Sequence, residues 1–151
     1  MTRILGVDYG SKRIGLAISD GIGLTARPLQ TIRRGELQST LRGLAEEYDI
    51  GEVVIGLPRS LSGNEGESAV AARELAAEIQ EILGVEAHFV DERFTTRLAE
   101  SALLESGMKR RERKETVDRV AAAIILQTYL DYRRREGNSP DTDDVESTGN
   151  Q

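Results

Sequence analysis

The stretch RILGVDYGSKRIGLAIS, residues 3–19, decides how the chain must be built. Its two halves, Arg3 to Asp8 and Arg13 to Ser19, are rich in Ile, Leu and Val and have the length of short strands. Between them stands Tyr-Gly-Ser-Lys, a turn sequence in which Gly10 is expected at positive φ. Two strands joined by so short a link form an antiparallel hairpin, whereas a plain doubly wound sheet would place a helix after its first strand.

Outward from the hairpin, the Gly-containing link Asp20 to Gly23 leads to a third extended segment, Arg27 to Ile32. Leu37, Leu41, Leu44 and Tyr48 then recur at helical spacing, stopped by the Asp49 to Gly51 turn. Glu52 to Leu57, EVVIGL, is almost continuously apolar, the pattern of a strand buried on both faces. A loop from Pro58 to Gly66 precedes a helix marked by Ala72, Leu75, Ala76, Ile79 and Ile82, which ends near Gly84. Val85 to Val90 is a strand, Thr95 to Glu105 a helix, Gly107 to Arg113 a basic connector and Glu115 to Arg135 a long final helix. Three strands followed by helix, strand, helix, strand, helix, helix predict an α/β fold, a mixed five-stranded sheet with helices on both faces. That order is the ribonuclease H-like arrangement.

At 151 residues the chain fits one domain, expected over 1–136, and leaves no room for two large lobes. From residue 137 to 151 the sequence carries Asp141, Asp143, Asp144 and Glu146 and no base, a composition that predicts a disordered acidic tail. There is no Cys, which excludes disulfides, thiolate nucleophiles and Cys-ligated metals. Met1 to Val7 is too poor in apolar residues for a secretory signal, and the longest apolar run, Val120 to Leu126, is far short of a membrane span. A cytosolic protein with no membrane partner is expected.

The net charge of −6 argues against a nucleic-acid partner until its distribution is considered. Between Arg93 and Arg135 eleven basic residues face six acidic ones, and 17 of the chain's 20 basic residues are Arg. The planar fork of Arg matches phosphate better than the point charge of Lys does. An Arg-rich solvated helix face would carry the same charges, and the run Arg133 to Arg135 reads that way.

Three acids stand at element ends. Asp8 closes the first strand, Glu92 follows the last strand, and Asp118 opens the long helix ahead of Ala121, Ala122, Ile125 and Tyr129. Singly, each has a plain structural reading as a turn former or an acid favouring a helix dipole. Jointly, two strand ends and one helix start can converge at the carboxyl edge of a sheet. A cluster made only of carboxylates suits Mg²⁺ or Mn²⁺, and two such ions about 4 Å apart activate water and stabilise the leaving oxygen of a phosphodiester. Around these acids, Lys12 and Arg13 are candidates for holding a phosphate near Asp8, or are ordinary exposed turn bases. Arg93, Thr95 and Thr96 stand at a helix start, where N–H groups bind phosphate and where Thr also caps routinely. His88, alone on a strand, is read as structural. The connector Lys109 to Lys114, with Arg110, Arg111 and Arg113, carries charges suited to tracking a nucleic-acid backbone.

Four ordered motifs carry a resemblance: GVDYGSKRIGLAISD at 6–20, GLPRSLSGNEGESA at 56–69, DERFTT at 91–96 and VDRVAAAIILQTYL at 117–130. Together they resemble the YqgF family, a bacterial ribonuclease H-like group described as Holliday-junction resolvases and as nucleases maturing the 5′ end of pre-16S rRNA. The match spans about residues 3 to 132. It implies a metal-dependent nuclease whose acids fall on Asp8, Glu92 and Asp118, using Mg²⁺ or Mn²⁺, with RNA favoured over DNA as its partner and action on branched DNA as the alternative. Lys114-Glu115-Thr116 stands where many members have Lys-Gly, and the acidic tail is an addition.

Two rivals come from other classes. Asp8, Gly10, Ser11 and Lys12 also resemble the first phosphate motif of actin-like ATPases and sugar kinases, but those enclose their nucleotide with a second lobe that this length does not allow. A non-catalytic nucleic-acid-binding module would not need the full set of acids. Junction resolution requires two active sites and hence a dimer, while trimming a single strand does not, so the oligomeric state stays open.

Overall fold

The computed structural model describes residues 2–10, 12–57, 66–91 and 110–137, and of residues 68, 110–118 and 137 the backbone alone. Strands β1 (Arg3–Tyr9) and β2 (Arg13–Ser19) form the expected hairpin, with Leu5 opposite Ile18 and Asp8 opposite Gly15. Strand β3 (Ala26–Arg33) pairs antiparallel with β2, and its register slips between Leu16 and Ala17. A short 3₁₀ turn, Arg34–Glu36, leads into helix α1 (Leu37–Glu47). Strand β4 (Ile50–Leu57) lies parallel to β1, helix α2 (Glu67–Leu83) crosses over, and strand β5 (Glu86–Asp91) lies parallel to β4. The sheet order is β3-β2-β1-β4-β5, and helix α3 (Arg110–Gly137) closes the described chain. The predicted helix over 95–105 lies outside the described residues, and so does the predicted tail, 137–151, beyond Gly137, which ends α3.

Alternation along the strands sorts the core into two layers. Leu5, Val7, Ile14, Leu16, Val53 and Ile55 pack with Leu37 and Leu41 of α1 and Leu75 and Ile79 of α2. Ile4, Ala17 and Val54 point the other way and pack against Ala122, Ile125, Leu126 and Leu130 of α3. The continuous apolar run of β4 is therefore buried on both faces, as its sequence predicts.

Helix α3 comes very close to the sheet at Gly6. A Cβ added there would lie 2.8 Å from Leu126 Cβ and 2.9 Å from the Ala122 carbonyl oxygen, so this strand position admits no side chain. Farther along α3, the Tyr129 hydroxyl donates to Glu52 Oε2 at 3.1 Å, and Glu52 is the register partner of Ile4. Moving toward the C-terminus of α3 thus means moving toward the start of β1, and the helix runs antiparallel to that strand. Gln127 ties the same helix to the β2–β3 link: its side chain accepts from the Ala26 N–H at 2.9 Å and donates to the Leu24 carbonyl at 2.9 Å. Within that link the Asp20 carboxylate accepts from the Leu24 N–H at 2.9 Å and the Thr25 hydroxyl at 3.0 Å. These bonds, the Leu24 one foremost, hold its carboxyl below the usual range.

Glu52 is a shared acceptor at the amino edge of the parallel strands. Besides Tyr129 it receives Arg133, and His88 Nε2 lies 2.9 Å from its Oε2 while the imidazole stacks on the Tyr129 ring. Burial, and then the neighbouring carboxylate, push the Tyr129 phenol well above its ordinary value, so it remains a neutral donor. Removing the acceptor strands a half-buried hydroxyl, while the exposed Arg133 returns to water. Glu52→Ala is therefore expected to lower the unfolding free energy by about 1–3 kcal/mol in urea titration.

Two expectations need correcting. Gly10 does not take a positive φ; among the described residues Gly23 and Gly84 do. What requires glycine at position 10 is proximity: its N–H donates to the Arg13 carbonyl at 2.9 Å, and a Cβ would come within 2.6 Å of that oxygen. The second concerns the basic connector, because α3 already begins at Arg110 rather than Glu115. Residues 110–114 lack an apolar period, yet Arg, Glu and Lys are good helix formers and extend the helix by more than a turn.

Candidate active site

Asp8 is the next residue after Gly6 on the face of β1 that meets α3, and it is 7% exposed. Its opposite number on β2 is Gly15. On the other side, the register Val7 to Ile55 brings Gly56 of β4 alongside. The carboxylate thus has a residue without a side chain on each neighbouring strand, which leaves space beside it at the end of β1. Asp8 takes part in an interaction within the chain.

The helix register brings position 118 to the same level. Ala122 lies over Gly6, and position 118 is one turn nearer the N-terminus on the same i, i+4 stripe, about 6 Å along the axis. Asp8 lies two strand residues beyond Gly6, about 6.6 Å in the same direction. Glu92 follows directly on Asp91, the last residue of β5, but lies outside the described residues, as do Arg93, Thr95 and Thr96. Of the three acids, Asp8 is the one whose side chain is described. Among the described residues no three His, Cys, Asp or Glu side chains are gathered as a metal site.

The bases divide between two elements. Lys12 is exposed and Arg13 half-buried at the hairpin turn, and Arg13 takes part in an interaction within the chain. Arg110, Arg111 and Arg113 occupy the first turns of α3, where positive charge opposes the helix dipole. They precede position 118 by five to eight residues, so their backbone stands about 7–12 Å farther along the axis, beyond the level of Asp8. Sequence reading passed over Arg33, which the β2–β3 register places directly opposite Arg13. Twenty residues separate them in the chain, and no local pattern links them.

Comparison with known proteins gives the family and the fold. A family model described as RuvX, Holliday junction resolvase, matches residues 2–132. A protein of Moorella thermoacetica named "Putative pre-16S rRNA nuclease" is 46% identical over 138 residues, covering 89% of this chain and 99% of that protein. One of Myxococcus xanthus with the same name is 44% identical over 144 residues, covering 93% of each. Among solved structures, Thermus thermophilus RuvC in complex with a Holliday junction substrate shares the fold with a TM-score of 0.56 at 16% identity, covering 92% of this chain and 98% of that one. Fowlpox virus resolvase, solved with Holliday junction DNA, gives 0.51 at 13% identity, covering 87% and 99%. The mixed sheet is the ribonuclease H-like fold expected from the element order. No helix among the described residues is long and apolar enough to cross a membrane.

Proposed function

Because the chain belongs to the RuvX family, the YqgF group that its motifs resemble, we propose that it is a cytoplasmic, metal-dependent nuclease that hydrolyses phosphodiester bonds in maturing the 5′ end of pre-16S rRNA. The observation that carries the reading is the buried Asp8 carboxylate at the end of β1, level with helix position 118 and flanked by Gly15 and Gly56. A turn-forming Asp needs neither burial nor a close-packed helix beside it.

In this reading Asp8, Glu92 and Asp118 hold Mg²⁺ or Mn²⁺ through carboxylate oxygens, the donor type these hard ions prefer. Glu92 is the next even-numbered residue after His88 and Val90, both of which belong to the α3 side of β5. When bound, the ions supply an activated water and charge stabilisation for the leaving oxygen. The side chains of the protein do the positioning. Asp8, Glu92 and Asp118 would hold the ions between β1, β5 and α3, while Lys12, Arg13 and Arg93 attract the phosphate backbone of the substrate, and Thr95 and Thr96 add hydroxyl donors.

One panel of labelled substrates with Mg²⁺ or Mn²⁺ tests the function: single-stranded RNA, a precursor rRNA leader, duplex DNA and a four-way junction. Cleavage of the leader at its 5′ side is expected. Selective cleavage of the junction would replace rRNA maturation by resolution, and no cleavage of any substrate would overturn the nuclease reading.

The first turns of α3 supply a further check. Neutralising Arg110, Arg111 and Arg113 together should weaken substrate binding and reduce its salt dependence by up to about three phosphate contacts, leaving the saturated rate largely intact. An unchanged salt slope would show that the backbone is held elsewhere. Because these cations oppose the helix dipole, the same triple variant should not destabilise the fold, as thermal melting would report.

A further inference from the structure

The β2–β3 pairing gives Arg13 a neighbour, Arg33, that the proposed active site does not use. Arg13 and Arg33 are direct cross-strand partners, two residues nearer the edge than the row Asp8, Gly15, Thr31. Ile14 and Ile32 between these rows belong to the core under α1 and α2, so alternation puts Arg13 and Arg33 on the opposite face, the one that carries Asp8. Like charges directly opposite on neighbouring strands do nothing for the sheet itself, and this face carries two in register, although Arg13 also takes part in an interaction within the chain. The next residue, Arg34, is instead joined to Glu78 of α2 at 2.6 Å on the other side of the sheet. The Glu36 carboxylate beside the pair accepts from the backbone N–H of Arg33 at 2.8 Å.

We infer that Arg33, with Arg13 and the exposed Lys12, forms a phosphate-binding subsite for the sugar-phosphate backbone of the nucleic acid, on the β3 side of Asp8. Strand β3 lies two spacings from β1, about 10 Å, so the phosphate held there is a neighbour of the scissile one in the same polymer. Arg33 grips it through the guanidinium fork and reads no base, because backbone contacts position without specifying sequence. The subsite rests on the nuclease reading of the edge and extends it: the polymer runs from the first turns of α3 across the end of β1 and onto β3.

The test is binding of a labelled single-stranded RNA to the full chain, by fluorescence anisotropy in EDTA, from about 50 to 200 mM salt. Arg33→Gln is compared with Arg27→Gln, a change on the same strand at its far end, where Arg27 donates to the Tyr48 hydroxyl. Arg33→Gln is expected to weaken binding roughly 3- to 10-fold and to lower the log–log salt slope by about 0.7, one contact on a single strand. Arg27→Gln should match the wild type in slope. Wild-type affinity and slope in Arg33→Gln, in a protein that binds the RNA, would overturn the subsite and leave the nuclease reading standing. A wild-type protein that binds neither this RNA nor a labelled four-way junction would overturn both. Equal losses in the two variants would mean a diffuse charge effect and no subsite.

Discussion

Asp8→Asn is expected to lower nuclease turnover by about 100-fold or more, the scale on which removal of one preorganised electrostatic group acts. The substitution keeps the shape of the side chain and one carbonyl oxygen for the interaction Asp8 makes within the chain, and deletes the charge. At 7% exposure that charge is held out of water, which costs several kcal/mol unless a cation or hydrogen bonds offset it. Two results should accompany the loss. The melting temperature of the metal-free protein should stay unchanged or rise, and the stabilisation gained on adding Mg²⁺ or Mn²⁺, which follows mass action, should shrink. Wild-type turnover would remove Asp8 from the site. A large fall in melting temperature together with lost activity would instead make Asp8 a structural residue.

Most of the architecture was legible because it is written in local patterns. The hairpin at 3–19, the twofold-buried run at 52–57 and the leucines of α1 each announce one element by period alone, and element order did the rest. The start of α3 was misplaced because a charged run looks like a connector when only apolar periodicity is read; helix propensity, which 110–114 possess, was the missing signal. Gly10 was expected at positive φ, whereas the nearby Arg13 carbonyl is what requires glycine there. A glycine required by a nearby carbonyl and one required by positive φ look the same in sequence.

The site divides in the same way. Asp8 could be singled out because a strand end is a local feature. Arg33 could not, since its place opposite Arg13 depends on a register that slips between Leu16 and Ala17. Glu52, His88 and Tyr129 come from two strands and a helix up to 77 residues apart, and only packing joins them. His88 alone reads as structural, and its stacking on Tyr129 agrees with that reading.

Gly6→Ala is expected to damage both stability and activity, because the position sets the distance between α3 and the sheet. The added methyl would meet Leu126 Cβ at 2.8 Å and the Ala122 carbonyl at 2.9 Å, and the second of these is backbone that no rotamer change can move. Relief requires lifting the helix from β1, which disturbs the packing of its Ile125 and Leu130 on Ile4, Ala17 and Val54. Overpacking of this kind costs about 1–3 kcal/mol, measurable as a lower urea midpoint at unchanged slope. The same displacement carries position 118 away from Asp8, and a shift of about 1 Å between reacting groups can lower a rate 100-fold. Loss of kcat beyond what the fraction unfolded explains is therefore the diagnostic result. Leu126→Gly in the Gly6→Ala background removes one close contact and leaves the carbonyl, so it should not restore activity. If Gly6→Ala instead folds within about 0.5 kcal/mol of the wild type, the range of a neutral surface change, and cleaves normally, close approach of α3 is not what aligns the acids.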